Sequence, residues 1–279
     1  MKKILSLVIS TTVMLMAVSG CTKKEKPILM SGSATLGPLM KQMAESFSQS
    51  ANRELLVTEI GSLKGLSLLI SGKNDIADSS VKMPSGLAWE AQKKGIVTKE
   101  ILIGYDIIIP IVHPSNPIGN LYLGRMADMY TGLIKDWKEE GGKPGPILVV
   151  DRNDDSGTRL IMSEQFFESQ KVVEGSVKKN CDSEVISFIT QHPGAIGYIS
   201  KSSLAPGVKV ININARSATI ENVETKIYPL YRELYLYVND KSYTGTVKSF
   251  IEFVLSKKGQ DMMQQKGFIP VARLNKADR

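Results

Sequence analysis

Val149-Val150-Asp151-Arg152-Asn153-Asp154-Asp155-Ser156-Gly157-Thr158-Arg159 runs from an apolar strand through a polar turn into a helix carrying Leu160, Ile161, Met162, Phe166 and Phe167. The helix is expected over 157–169, with Ser156 placed to cap it. First-turn N–H groups lack intrahelical partners and point outward with the positive end of the macrodipole, and Gly157 allows close backbone approach. Such an end binds an anion. Ser156 and Thr158 add hydroxyl donors, while Arg152 or Arg159 supplies a bidentate, charge-assisted pair that suits a tetrahedral oxyanion. The same residues also fit a plain N-capped helix with two surface arginines.

Working outward, two more turns have this build. Met30-Ser31-Gly32-Ser33-Ala34-Thr35-Leu36-Gly37-Pro38-Leu39 follows the first apolar strand and sets Thr35 near a helix start. Ile60-Gly61-Ser62-Leu63-Lys64-Gly65 again follows a strand and precedes a helix. Ligands of α/β proteins bind at the carboxyl ends of the strands, so three such turns bearing Ser or Thr beside Gly are expected to converge.

Strand-length apolar runs at 28–30, 55–60, 75–77, 101–112, 147–150, 195–199, 208–213 and 234–238 alternate with helical segments at 36–49, 63–71, 86–94, 125–130, 157–169, 183–191 and 244–265. That alternation gives an α/β class, and the runs without period-two polarity fit strands covered on both faces. The long runs 101–112 and 228–238 are each suited to a strand crossing between two lobes. Lobe 1 is then 28–105 plus 228–279, lobe 2 is 106–227, and a cleft lies between them.

Composition agrees with a folded body. The 279 residues are 42% hydrophobic and 23% charged, which excludes disordered, collagen-like and coiled-coil chains and leaves one large domain or two lobes. Cys21 and Cys181 are too few for a disulfide scaffold and have no zinc-site spacing; Cys181 reads as a small buried apolar residue. The net charge of +7 comes from scattered lysines, which suits a solvated face that draws in anions rather than a nucleic-acid interface.

The amino terminus has a separate role. Lys2-Lys3, an apolar core over 4–17 and small residues before Cys21 mark a secretory signal peptide at 1–20, too short and hydroxyl-rich for a membrane span. Lys2 and Lys3 are its only charges, so its removal leaves +5. Val18-Ser19-Gly20-Cys21 resembles the lipobox of bacterial lipoproteins, which implies diacylglycerol on Cys21, a polar tether at 21–27 and a body anchored outside the cytoplasmic membrane. A plain signal peptide with a chance cysteine is the other reading.

Several motifs occur together in a fixed order: Ser31-Gly32-Ser33-Ala34-Thr35, Gly61-Ser62 before a helix, Asp75-Ile76-Ala77-Asp78-Ser79-Ser80, Tyr130-Thr131-Gly132 with Ile134 and Trp137, Arg152 four residues before Ser156-Gly157-Thr158-Arg159, Pro193-Gly194-Ala195-Ile196-Gly197-Tyr198, and Tyr228-Pro229-Leu230-Tyr231-Arg232. In order and spacing they resemble the periplasmic phosphate-binding proteins of ABC importers, over nearly all of 28–279. The resemblance implies a two-lobed type II binding-protein fold, each lobe a sheet flanked by helices, joined by a two-strand hinge. It further implies a non-enzymatic monomer without cofactor that takes inorganic phosphate and delivers it to the transmembrane subunits of an ABC permease.

It also assigns Ser33, Thr35, the Leu36 amide, Ser62, Ser80, Arg152, Asp154, Ser156, the Gly157 amide and Thr158 to the phosphate site. Asp154 would accept the proton that phosphate still carries and so penalise sulfate, which has none. Where the family commonly has Asp or Arg after Ala77-Asp78-Ser79, this chain has Ser80 and Val81. Other tetrahedral oxyanions (sulfate, molybdate, tungstate) or a phosphate-sensing role are therefore the alternatives. A serine hydrolase is the weakest reading. Its SxxK spacing occurs at Ser79–Lys82 and Ser176–Lys179, as often as serine and lysine content produces by chance, and its Ser-Asp-Asn and Lys-Thr-Gly partners are absent.

Overall fold

The structure, a computed structural model, describes residues 26–51 and 53–274. The expected signal peptide at 1–20, the expected lipidation at Cys21 and most of the expected 21–27 tether lie outside those residues. No helix among the described residues is long and apolar enough to cross a membrane.

The elements run β1 Ile28–Gly32, α1 Gly37–Ala51, β2 Leu55–Glu59, α2 Ser62–Ile70, β3 Ile76–Ser79, α3 Ser85–Lys93, β4 Thr98–Val112, β5 Asn120–Leu121, α4 Leu123–Thr131, β6 Leu148–Arg152 and α5 Gly157–Ile161. They continue with β7 Val177–Lys179, α6 Asp182–Gln191, β8 Ala195–Ser200, β9 Lys209–Val210, β10 Asn212–Ile213, α7 Ile220–Glu224, β11 Tyr231–Asn239, α8 Gly245–Leu255, α9 Lys257–Gln265, β12 Ile269–Pro270 and α10 Val271–Leu274.

Two sheets share one strand. In the first the order is β2-β1-β3-β11-β4, with β1 parallel to β2 and β3 and β11 antiparallel to both neighbours. The second continues from β4 through β8 and β6 to β7, with β6 parallel to β7 and β8. The amino-terminal part of β4 pairs with β11, while Ile108 to Val112 pairs with β8, so the strand passes from one lobe into the other. The chain returns just before β11: Tyr228 and Leu230 pack in the second lobe, and Leu234 packs in the first.

Each lobe has its own core. On α1, Leu39, Met40, Met43, Ala44 and Phe47 recur at helical spacing and are buried, and Phe47 meets Phe250 of α8 edge-on at a centroid distance of 5.4 Å. Each such buried Leu, Met or Phe side chain contributes about 1.5–3 kcal/mol. The opposite face of the same sheet is covered by α2 through Leu66 and Leu69 against Ala77, Tyr235 and Tyr237. In the second lobe Ile111, Val150, Ile189, Ile196 and Tyr198 form the centre, and Ile269 and Leu274 of the carboxyl-terminal segment join it.

Four expectations need correction. The helix at 157–169 is one α-helical turn followed by a π-helical turn at Met162–Phe166, with Glu168 and Ser169 in the left-handed region. Phe167, stacked on Tyr130 at 4.7 Å, pulls the chain off the helix axis and into the core. The segment 244–265 is two helices, because Ser256 is extended and its Oγ accepts the Gly259 amide as an N-cap. The run 208–213 divides into β9 and β10, which pair with different strands. Cys181 is half-buried rather than buried, and its sulfur lies 3.1 Å from Ser183 Oγ.

Candidate anion-binding site

Parallel pairing of β1 with β2 and β3, and of β6 with β8, points their carboxyl ends at the gap between lobes, so the turns that follow meet there. They enclose a cavity of about 250 Å³. Ser33, Thr35, Ser62 and Ser80 line it from the first lobe, and Arg152, Ser156, Gly157 and Thr158 from the second. Eight of the ten residues expected from the sequence are thus brought together. The lobes touch across it: the Leu63 amide donates to Asp155 O at 3.3 Å, and a Cβ on Gly157 would stand 2.7 Å from Ser62 Oγ and 2.8 Å from Ser80 Oγ. Gly157 is needed for this approach.

The local geometry explains several donors. Ser33 Oγ accepts the Thr35 and Leu36 amides at 3.2 and 3.3 Å, which closes the turn leading into α1; Leu36 itself is fully buried and does not line the cavity. Ser156 Oγ accepts the Arg159 amide in the same way. Ser62 and Ser80 share a hydroxyl contact of 3.3 Å, and the Ser80 amide donates to Ser62 Oγ. The Ser62 hydroxyl is thus available to donate while its oxygen already accepts.

Arg152 is 1% exposed, and its guanidinium is held from behind. Nη1 donates to Asp182 Oδ1 and Nη2 to Asn180 O at 2.8 Å. Asp182 Oδ2 accepts the Ser200 amide at 3.1 Å, so the carboxylate is itself fixed. Arg152 lines the cavity, and its Nε is buried without a hydrogen-bond partner.

Asp154 stands elsewhere. Its side chain is 84% exposed and lies near Arg159 and Lys178, and it does not line the cavity. Strand β6 ends at Arg152, so the turn rotates Asp154 outward instead of preserving the two-residue alternation. Arg159 likewise faces the buried Asp151, whose carboxyl burial would raise but which Lys178, Tyr198 and Arg159 together hold below the usual range. Neither histidine reaches the cavity: His113 Nδ1 contacts Ser115 Oγ in an exposed turn, and His192 stacks on Phe188.

Two features were not assigned from the sequence. Arg232 of β11 lies opposite Asp106 of β4, and Nε and Nη2 donate to Asp106 Oδ2 at 3.0 and 2.7 Å, with both side chains fully buried. Burial lifts the Asp106 pKa, opposed by the Arg232 charge and the Ser200 hydroxyl. Arg232 also reaches Thr158 Oγ1 at 2.5 Å and Thr35 Oγ1 at 3.1 Å. A lone Arg and a lone Asp, each in an apolar crossing strand, were the available signal. Asp78, the second feature, lies against Gly32 below the Ser33 turn. Neither of its carboxylate oxygens has a hydrogen-bond partner, and burial pushes its pKa to about 7.

The comparisons with known proteins agree with this architecture. A family model described as a PBP superfamily domain matches residues 17–258. The chain is 28% identical to the phosphate-binding protein PstS of Borreliella burgdorferi, over 97% of this chain and 99% of that one. Among solved structures it resembles a phosphate ABC transporter substrate-binding protein with bound phosphate from Clostridium perfringens, with 33% identity and a TM-score of 0.82, covering 88% of this chain and 100% of the other. An ABC-type phosphate transport receptor from Vibrio cholerae is 27% identical with a TM-score of 0.74, covering 87% and 99%. With a match across most of its length and two lobes closing on a polar cavity, the chain belongs to the PBP superfamily, in its type II two-lobed form.

Proposed function

We propose that this chain captures inorganic phosphate between its lobes and delivers it to an ABC permease for uptake. The observation that carries this is the closed cavity itself. Ser and Thr residues from both lobes and Arg152 line a volume of about 250 Å³, and the phosphate-bound relative shares 33% of its sequence. A small oxyanion in a site rich in donors is held by charge-assisted hydrogen bonds that water would otherwise supply. Each lobe contributes part of the donor set, so the anion favours the closed state and joins both halves into one surface for the permease.

The contacts in this reading are Ser33, Thr35, Ser62, Ser80, Arg152, Ser156, the Gly157 amide and Thr158, with the lobes divided within β4, close to the expected 105/106, and within β11 after Leu230 rather than at 227/228, since Tyr228 and Leu230 pack with the second lobe. The protein acts as a binder rather than a catalyst, as a monomer, tethered through diacylglycerol on Cys21 after removal of 1–20. Arg152→Ala and Thr158→Val should each weaken phosphate at least about tenfold, the scale of a lost hydrogen bond to a charged group. Unchanged affinity in both would refute the site. Cys21→Ala should release the protein from membranes; retention would refute the anchor.

One observation favours another oxyanion. Asp154 points to solvent, and Glu59, which does line the cavity, is paired with Lys41 at 2.6 Å. The carboxylates on the cavity wall are then Glu59, already paired, and the exposed Asp155, so sulfate is resisted less strongly than by a buried, unpaired carboxylate.

A further inference from the structure

We infer that Arg232 is the positioning residue of the anion site: it sets the direction of the Thr35 and Thr158 hydroxyl protons, and does so only when the lobes are closed. This rests on the binding reading above. A guanidinium carries five donors and no acceptor. Thr35 Oγ1 and Thr158 Oγ1, at 3.1 and 2.5 Å, are therefore both acceptors toward Arg232. Each threonine has a single O–H, and that proton must leave on the side away from the arginine, where both residues line the cavity. Arg232 does not line that cavity, so it acts through the threonines rather than on the anion.

The placement ties this alignment to closure. Thr35 follows β1 in the first lobe, Thr158 opens α5 in the second, and Arg232 stands on a crossing strand between them. Asp106, directly opposite on the other crossing strand, takes Nε and a second Nη2 contact and is held in turn by Ser200 Oγ at 2.6 Å. One fixed guanidinium thus meets a hydroxyl from each lobe, and parting the lobes must break at least one of those bonds. A hydroxyl freed in this way is able to accept as well as donate, and the donor set loses its bias toward a fully ionised oxygen.

The test is a double-mutant cycle read by calorimetric titration with phosphate. Arg232→Met alone strands a buried carboxylate and risks unfolding, so Arg232→Met/Asp106→Leu serves as the second background, with folding checked by circular dichroism and melting. In the native background Thr35→Val and Thr158→Val should each cost about tenfold or more in affinity. In the Arg232→Met/Asp106→Leu background, phosphate should already bind at least about tenfold more weakly, and each added valine should cost no more than about threefold. A folded Arg232→Met/Asp106→Leu protein with native affinity would overturn the inference. So would valine effects of equal size in both backgrounds, which is what a purely structural arginine produces. If the native protein ignores phosphate, the binding reading has failed separately, and the same cycle is read with whichever of arsenate, sulfate or molybdate it binds.

Discussion

Asp182 holds Arg152 from one side, taking an Nη1 proton on Oδ1 while Asn180 O takes one from Nη2, and the buried Nε is left without a partner. Both partners are almost fully buried, at 2% and 4% side-chain exposure. Removing one member of such a pair leaves an uncompensated buried charge. Asp182→Ala is therefore expected to cost about 3 kcal/mol of stability and to weaken anion binding at least about tenfold, because Arg152 loses its fixed orientation. Chemical denaturation and calorimetric titration of the same sample check both parts.

Closure depends on Gly157. The space a methyl group would need is taken by Ser62 Oγ and Ser80 Oγ of the other lobe, at 2.7 and 2.8 Å. Gly157→Ala should leave the melting temperature of the ligand-free protein nearly unchanged, since open lobes do not clash there, yet lower anion affinity about tenfold or more. Small-angle scattering should show no compaction on addition of phosphate, where the native protein compacts.

Selectivity should be adjustable at Ser80. It is 1% exposed, lines the cavity and contacts Ser62, so a carboxylate placed there would face the anion. Ser80→Asp is expected to raise the ratio of phosphate to sulfate affinity at least about tenfold near neutral pH, by accepting the phosphate proton and repelling sulfate. Competition titrations with the two anions measure it.

Asp78 gives a pH signature. Its folded pKa of about 7 lies above the ordinary 3.8, chiefly through burial, with the Glu59 charge adding to the rise. The folded state therefore binds this proton more tightly than the unfolded chain. The stability is full below pH 4 and is lost as pH rises toward and through 7, by at most about 4 kcal/mol. Asp78→Asn should flatten that decline and raise the melting temperature at pH 8 relative to the native protein, measured by thermal unfolding from pH 5 to 8.

The strand-to-helix turns were legible because each combines an apolar run with Ser or Thr beside Gly, and local chemistry of that kind survives folding. Arg152 was legible for the same reason, sitting at the end of β6. Asp154 was not, since its direction depends on where the strand ends, and the strand ends two residues earlier. The short α5 was hidden too: Leu160, Ile161, Phe166 and Phe167 read as one stripe, but Phe167 is drawn onto Tyr130 and breaks the period. The pairing of Arg232 with Asp106 joins residues 126 apart in sequence, and only the register of the two crossing strands reveals it.

The most direct test of anion capture is calorimetric titration of the protein lacking residues 1–21, unfolded and refolded beforehand to strip any carried ligand, with phosphate and sulfate in turn. Phosphate should bind at micromolar concentration or tighter, and more tightly than sulfate. Silence toward phosphate, or tighter binding of sulfate, would contradict the assignment of this cavity to phosphate.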